Sequence, residues 1–309
     1  MKKMVKRFFS GINPFSRKEE ENRILYSMRI ILSAYLIYIV GLLVGEALII
    51  FGSMPFGYNA TDRQLPQDIL LICSFFGYAI VILAFVLFAL KVNRISLKRI
   101  GLDSKVWKIF KGGLYGVITL LIILAILLVF GFLRFDGINQ NVNWPIFILF
   151  FFAFLAQSGM EEVVCRGYIF HRLSEKISVN ISTVISILFF SVFHFSKLFG
   201  EGFIIGIIGV LNLILISVIF LVLTWYDKNI YSAIGFHWIW NFMLYNVIGL
   251  NLSGIEVTDS LFKFSVVNEF LTGADYGIES SIITTFVCGT ILMVIILIEK
   301  GKVKNDGIQ

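Results

Sequence analysis

Eight long apolar runs divide the chain, at about 27–51, 68–90, 113–133, 145–170, 179–199, 202–226, 230–250 and 281–299. A segment of roughly 20 apolar residues spans the hydrocarbon of a bilayer as a helix. Lipid leaves only helices and closed barrels as spanning structures, and these runs are too long for barrel strands. The expectation is an all-α polytopic bundle of about eight transmembrane helices. Charged residues make up 15% of the 309 and the mean hydropathy is +0.89. A soluble domain carries about 25% charged residues.

Lysine and arginine set the orientation. With a cytoplasmic N-terminus, the inner segments hold 20 basic residues and the outer segments hold three: Arg63, Arg134 and Lys263. That bias places both termini in the cytoplasm. The expected organisation is a basic N-terminal segment at 1–26, one transmembrane domain at 27–299 and a tail at 300–309. Residues 5–9 read as solvated tail. The 91–112 segment reads as a short amphipathic interfacial piece, and 261–271 as a stretch able to lie in the interface. Gly112-Gly113 reads as a helix entry and not as a phosphate loop. No nucleic-acid motif is present, so the clustered basic residues report topology. Cys73, Cys165 and Cys288 lie in or beside apolar runs without metal or disulfide spacing, and are expected as buried thiols.

Against this background a few polar groups stand out. Glu161, Glu162 and Arg166 close the run that starts at Trp144, His194 closes another, and His237 and Asn241 sit in a third. An ionisable side chain near a helix centre costs about 2.5–3.5 kcal/mol on insertion scales. Glu162 and Arg166 are i and i+4 on a helix and face each other. Glu161 is rotated by about 100° and is the carboxylate left to act as general base and acid. His237 and Asn241 also share a face. Such a set activates water directly or binds a divalent metal that does so, and donates hydrogen bonds to an oxyanion. His171 reads as a solvated residue at the inner surface, and Glu46 as a snorkelling or paired group. Both central sets are expected inside the bundle.

Glu161-Glu-Val-Val-Cys-Arg166 matches Glu-Glu-x-x-x-Arg, Phe190-Ser-Val-Phe-His194 matches Phe-x-x-x-His, and His237-Trp-Ile-Trp-Asn241 matches His-x-x-x-Asn. In this order on successive apolar helices they resemble the CAAX protease and bacteriocin-processing enzyme family, or Abi family, over about residues 145–250. Gly273-Ala-Asp-Tyr-Gly-Ile-Glu279 resembles a glycine-rich stretch preceding the last helix of bacterial members.

The resemblance implies an intramembrane endopeptidase acting on membrane-associated peptides or C-terminal tails. It makes Glu161 and His194 the water-activating pair, Glu162 and Arg166 their support, and His237 and Asn241 the oxyanion holders. In a metalloprotease version, Glu161, His194 and His237 would bind zinc. The implied partners are the lipid bilayer and a peptide or protein-tail substrate, with no nucleic acid. A bacterial cell membrane as the setting would favour peptide maturation or bacteriocin self-immunity. Two other classes compete. A non-catalytic membrane scaffold regulating a sensor kinase or an envelope enzyme would tolerate loss of Glu161. A transporter would carry inverted repeats and broken helices, which the sequence does not display.

Overall fold

The computed structural model describes residues 9–15, 22–58, 64–192, 194–200 and 202–305. The expectations for residues 5–8, for Arg63 and for the last four residues of the tail lie outside the described residues. The protein is a helical, polytopic membrane protein. Among the described residues six helices are long and apolar enough to cross a bilayer. They are α1 (Arg23–Ser53), α2 (Gln67–Leu87), α3 (Lys108–Val129), α4 (Trp144–Glu162), α6 (Phe203–Asp227) and α8 (Ile282–Asn305). The shorter apolar helix α5 (Val179–Val192) follows α4 in the chain, and the short helix α7 (Tyr231–Phe242) follows α6.

The two shorter helices depart from the expected spans for identifiable reasons. The 179–199 run does not stay helical. His194 Nδ1 binds the Phe190 carbonyl, 3.0 Å, which the His194 N–H would take in a continuing helix. That N–H turns to the Ser191 carbonyl instead, 3.0 Å, and the histidine sits in a turn before a short helix at Phe195–Leu198. The 230–250 run is α7 followed by a π-helix at Met243–Ile248. A second π-helix, Val163–Phe170, continues α4 directly after Glu162. Wide turns of this kind occur mostly as single bulges and often at functional sites.

The chain divides into two compact units: residues 1–104 with 155–186, and 105–154 with 187–309. In the first unit α1 packs along α2, where Gly41 and Gly45 let the backbones approach at Val81 and Gly77. The Asn22 side chain caps α1 by accepting from the Ile24 and Leu25 amides. The Tyr26 hydroxyl donates to the Arg172 carbonyl, 2.9 Å, and Tyr168 meets Ser33, 3.0 Å, tying α1 to the segment after Glu162. The 91–112 stretch holds a 3-10 turn at Leu97–Ile100 with Ile95 and Ile100 buried, and Arg99 pairs with Glu175 at 2.8 Å.

In the second unit α3 packs against α7, and α8 against α6. Gly112 and Gly113 do not mark a helix entry. They lie inside α3 where it crosses α7, and a Cβ on Gly112 would overlap the Ser232 carbonyl. Small residues at such crossings let backbones meet where apolar burial gives no advantage over lipid. At one end of α3, Lys108 and Lys111 bind Asp227 at 2.9 Å each, and Lys111 also binds Glu299 at 2.9 Å. Ser232 donates to the same Asp227 carboxylate.

One small sheet interrupts the helices. β1 (Leu133–Ile138) and β2 (Phe262–Val266) form an antiparallel ribbon with Leu133 opposite Val266, and a bulge between Phe135 and Gly137. β2 lies within the 261–271 stretch, which thus holds a paired strand. The backbone groups of both strands need partners, and the alternation of apolar and polar residues suits a ribbon. The free thiols are Cys165 and Cys288, both buried, and Cys73, half-buried.

Candidate active site

The carboxylate motif belongs to the first unit. Glu162 and Arg166 form a 2.9 Å ion pair, and both side chains are 0% exposed. This is the pairing that their i, i+4 spacing predicts. Taking two charges out of water is costly unless they meet in good geometry, and here each neutralises the other. Glu161, one residue earlier, is only half-buried. Gln157 Nε2 donates to its Oε1 at 2.5 Å, and Ser158 Oγ donates to the Gln157 side-chain oxygen Oε1 at 3.2 Å. The phenols of Tyr38 on α1 and Tyr78 on α2 lie within electrostatic range of Glu161.

The π-helix after Glu162 has its own supports. Ser186 Oγ on α5 donates to the Cys165 carbonyl, 2.9 Å. His171 Nδ1 meets the Arg166 carbonyl, 2.6 Å, at the i, i+5 spacing a π-turn provides. His171 is thus half-buried and engaged with the backbone, and not a solvated surface residue. Glu46 is exposed along α1.

Both histidine motifs belong to the second unit, where one aromatic ring links them. Phe190, the first residue of Phe-x-x-x-His, lies 5.0 Å from the His194 ring and 6.0 Å edge-on from the His237 ring. On its other side His237 stacks on Phe220 of α6, with centroids 5.1 Å apart and planes at 22°. The carbonyl of Phe190 can only accept, so His194 Nδ1 carries the proton. In the neutral ring Nε2 then holds the lone pair and is the nitrogen that can receive a proton. His194 is half-buried, while His237 and Asn241 are 7% and 5% exposed.

Helix α7, which carries His237 and Asn241, is gripped from several directions. Its Ser232 and Gly235 abut α3 at backbone distance. Trp238 Nε1 donates to the Phe151 carbonyl on α4, 2.7 Å, and its ring lies 4.5 Å from the Phe151 ring. Trp240 Nε1 donates to Glu279, 3.2 Å. A helix so constrained presents its i and i+4 side chains in a fixed geometry, as a hydrogen-bonding site requires.

A zinc reading asks Glu161, His194 and His237 for three ligands. Among the described residues no three His, Cys, Asp or Glu side chains gather as a metal ion requires.

Two contacts were not anticipated from sequence. Gln157 was legible by the same i, i+4 rule that paired Glu162 with Arg166. Glu279 stood in a recognisable stretch, but its link to Trp240, 39 residues away, has no local signal.

The fold defines a multi-pass integral membrane protein that carries ionisable side chains within its apolar segments. Residues 142–243 match the family described as Rce1-like, the type II CAAX prenyl endopeptidase Rce1-like proteins. The matched stretch contains all three motifs, and the resemblance they suggest is borne out there. At the family level the protein is similar to intramembrane proteases of the CAAX type. Comparison with curated proteins and with solved structures gives no match.

Proposed function

We propose that the protein is an endopeptidase that hydrolyses a peptide bond with a water activated by Glu161 and His194. The observation that carries this reading is the division between two adjacent carboxylates: Glu162 is fully buried and committed to Arg166, while Glu161 is half-buried and held by a neutral amide. The Gln157 amide orients the Glu161 carboxylate by a hydrogen bond, as suits a group that must take up and release a proton.

In this reading a water proton passes to Glu161 as the water oxygen attacks the scissile carbonyl carbon. His194 Nε2 orients the same water. The carbonyl oxygen becomes an oxyanion, which His237 and the Asn241 amide stabilise by hydrogen bonds. When the carbon–nitrogen bond breaks, the proton moves to the leaving nitrogen. The products are a free carboxylate and a free amine. Glu162 and Arg166 set the direction in which Glu161 points.

The apolar surroundings favour a substrate that partitions into the bilayer or lies on it, such as a secreted peptide precursor or the C-terminal tail of a membrane protein. Peptide maturation and bacteriocin self-immunity are the uses we favour. The test compares wild type, Glu161→Ala and His194→Ala on a quenched-peptide library in detergent, with and without a zinc chelator. Cleavage by wild type alone supports the two central roles. Loss on chelation with recovery on adding zinc would replace this mechanism with a metal-dependent one. No cleavage by any form, where a known relative cleaves, would favour the regulatory scaffold.

A further inference from the structure

Both histidine-bearing elements of the second unit lean on one segment, residues 251–281, between α7 and α8. Near its end Glu279 receives three donors. Its Oε1 accepts the Trp240 indole N–H at 3.2 Å, and its Oε2 accepts the Ser253 amide at 2.6 Å and the Ser253 hydroxyl at 2.7 Å. Trp240 lies between His237 and Asn241 in sequence and is 5% exposed. Three residues beyond His194, Lys197 Nζ donates to the Gly254 carbonyl at 3.3 Å.

The segment is itself fixed. The Gly254 amide donates to the Tyr276 carbonyl, 3.0 Å, and Asn251 Nδ2 donates to the Asp275 carbonyl, 3.0 Å. Asn212, a buried amide on α6, donates to the carbonyls of Glu279 at 2.9 Å and Ser281 at 2.8 Å. Gly277, at φ +97°, approaches the Asn251 carbonyl so closely that a Cβ would overlap it. A hydrogen bond to a charged acceptor is worth more than one between neutral groups. An apolar residue at 279 would hold neither the indole nor the Ser253 turn.

We propose that Glu279 is a positioning residue: it fixes α7 through Trp240, and the 251–281 segment braces both α7 and the turn after His194. The inference rests on the reading of His194, His237 and Asn241 as working groups, and extends it to a carboxylate outside the three motifs.

The chain has only three histidines, so their ring resonances can be followed by NMR in the full-length protein in detergent and assigned by single substitutions. In Glu279→Ala the Trp240 indole N–H signal and the His237 ring signals move, and the His194 signals move less. The His171 signals, from the first unit, stay in place. Glu279→Gln keeps one acceptor oxygen, which serves Trp240 or Ser253 but not both, so it moves the same signals in the same direction by less. Where wild type cleaves peptide, Glu279→Ala lowers kcat roughly a hundredfold, as a small misplacement of working groups does, with KM little changed. Wild-type His237 and His194 signals in folded Glu279→Ala overturn the proposal. If that variant does not fold, unmoved signals in Glu279→Gln overturn it. The resonance arm needs no turnover, so a chain that cleaves nothing would sink the protease reading and leave the brace to be judged separately.

Discussion

Gln157 Nε2 donates to Glu161 Oε1 at 2.5 Å, one helical turn before the carboxylate it holds. The amide orients Glu161 while Arg166 is occupied with Glu162. Gln157→Ala removes the donor and leaves the fold's apolar contacts in place. Peptide cleavage should fall about tenfold or more, the size of a lost hydrogen bond to a charged group. Unchanged kcat/KM in a folded Gln157→Ala protein would remove Gln157 from the site.

The Glu162–Arg166 pair predicts an asymmetry between breaking it and replacing it. Arg166→Ala leaves a carboxylate buried without its cation, which costs about 3–5 kcal/mol. Replacing both residues with apolar ones of similar volume, Glu162→Met with Arg166→Leu, is often neutral or stabilising. The single variant should melt well below wild type in detergent, and the double variant should recover most of the loss. A double variant as unstable as the single would mean that the pair has a structural role beyond mutual neutralisation.

How much of this was legible in the sequence depended on the range of each interaction. The apolar runs became helices because lipid allows a long apolar segment little else, and the Glu162–Arg166 pair followed from spacing on one helix. The alternation of Leu133, Arg134, Phe135 and Asp136 was a strand signal, and it went unread beside a long apolar run. The turn at His194 was hidden because the histidine ring competes with its own backbone for the Phe190 carbonyl. The π-helices at Val163–Phe170 and Met243–Ile248 have no residue pattern that announces them. Glu279 reaches Trp240, and Gly112 meets Ser232, across separations that only the folded chain reveals.

The ribbon carries a pH dependence of predictable sign. The Ser265 hydroxyl and the Arg134 guanidinium donate to Asp136 and hold its carboxyl below the usual carboxylate range. The folded carboxyl binds a proton less readily than the unfolded one, whose value is about 3.9. Its contribution is therefore present above that value and lost as pH falls through the lower folded value. Hydrogen-exchange protection of the β1 and β2 amides should decline as pH falls through this acid range. Asp136→Asn should flatten the decline, and an identical pH profile in that variant would contradict the assignment.

The α3–α7 crossing separates glycines that are needed from glycines that are not. A Cβ on Gly112 would overlap the Ser232 carbonyl, and a Cβ on Gly235 would overlap the Ile109 carbonyl. Both obstacles are backbone, so no side-chain rotation relieves them and the helices must part. Gly112→Ala and Gly235→Ala should each lower stability by about 1–3 kcal/mol or more, as overpacking does. Because α7 carries His237 and Asn241, cleavage should fall further than the melting temperature alone implies. Gly289 on α8 provides the contrast, since a Cβ there has no neighbour within 4 Å. Gly289→Ala should leave cleavage unchanged and raise stability by up to about 1 kcal/mol, the helix-propensity gain of alanine over glycine. If Gly112→Ala melts and cleaves like Gly289→Ala, the close crossing does not hold α7 in place.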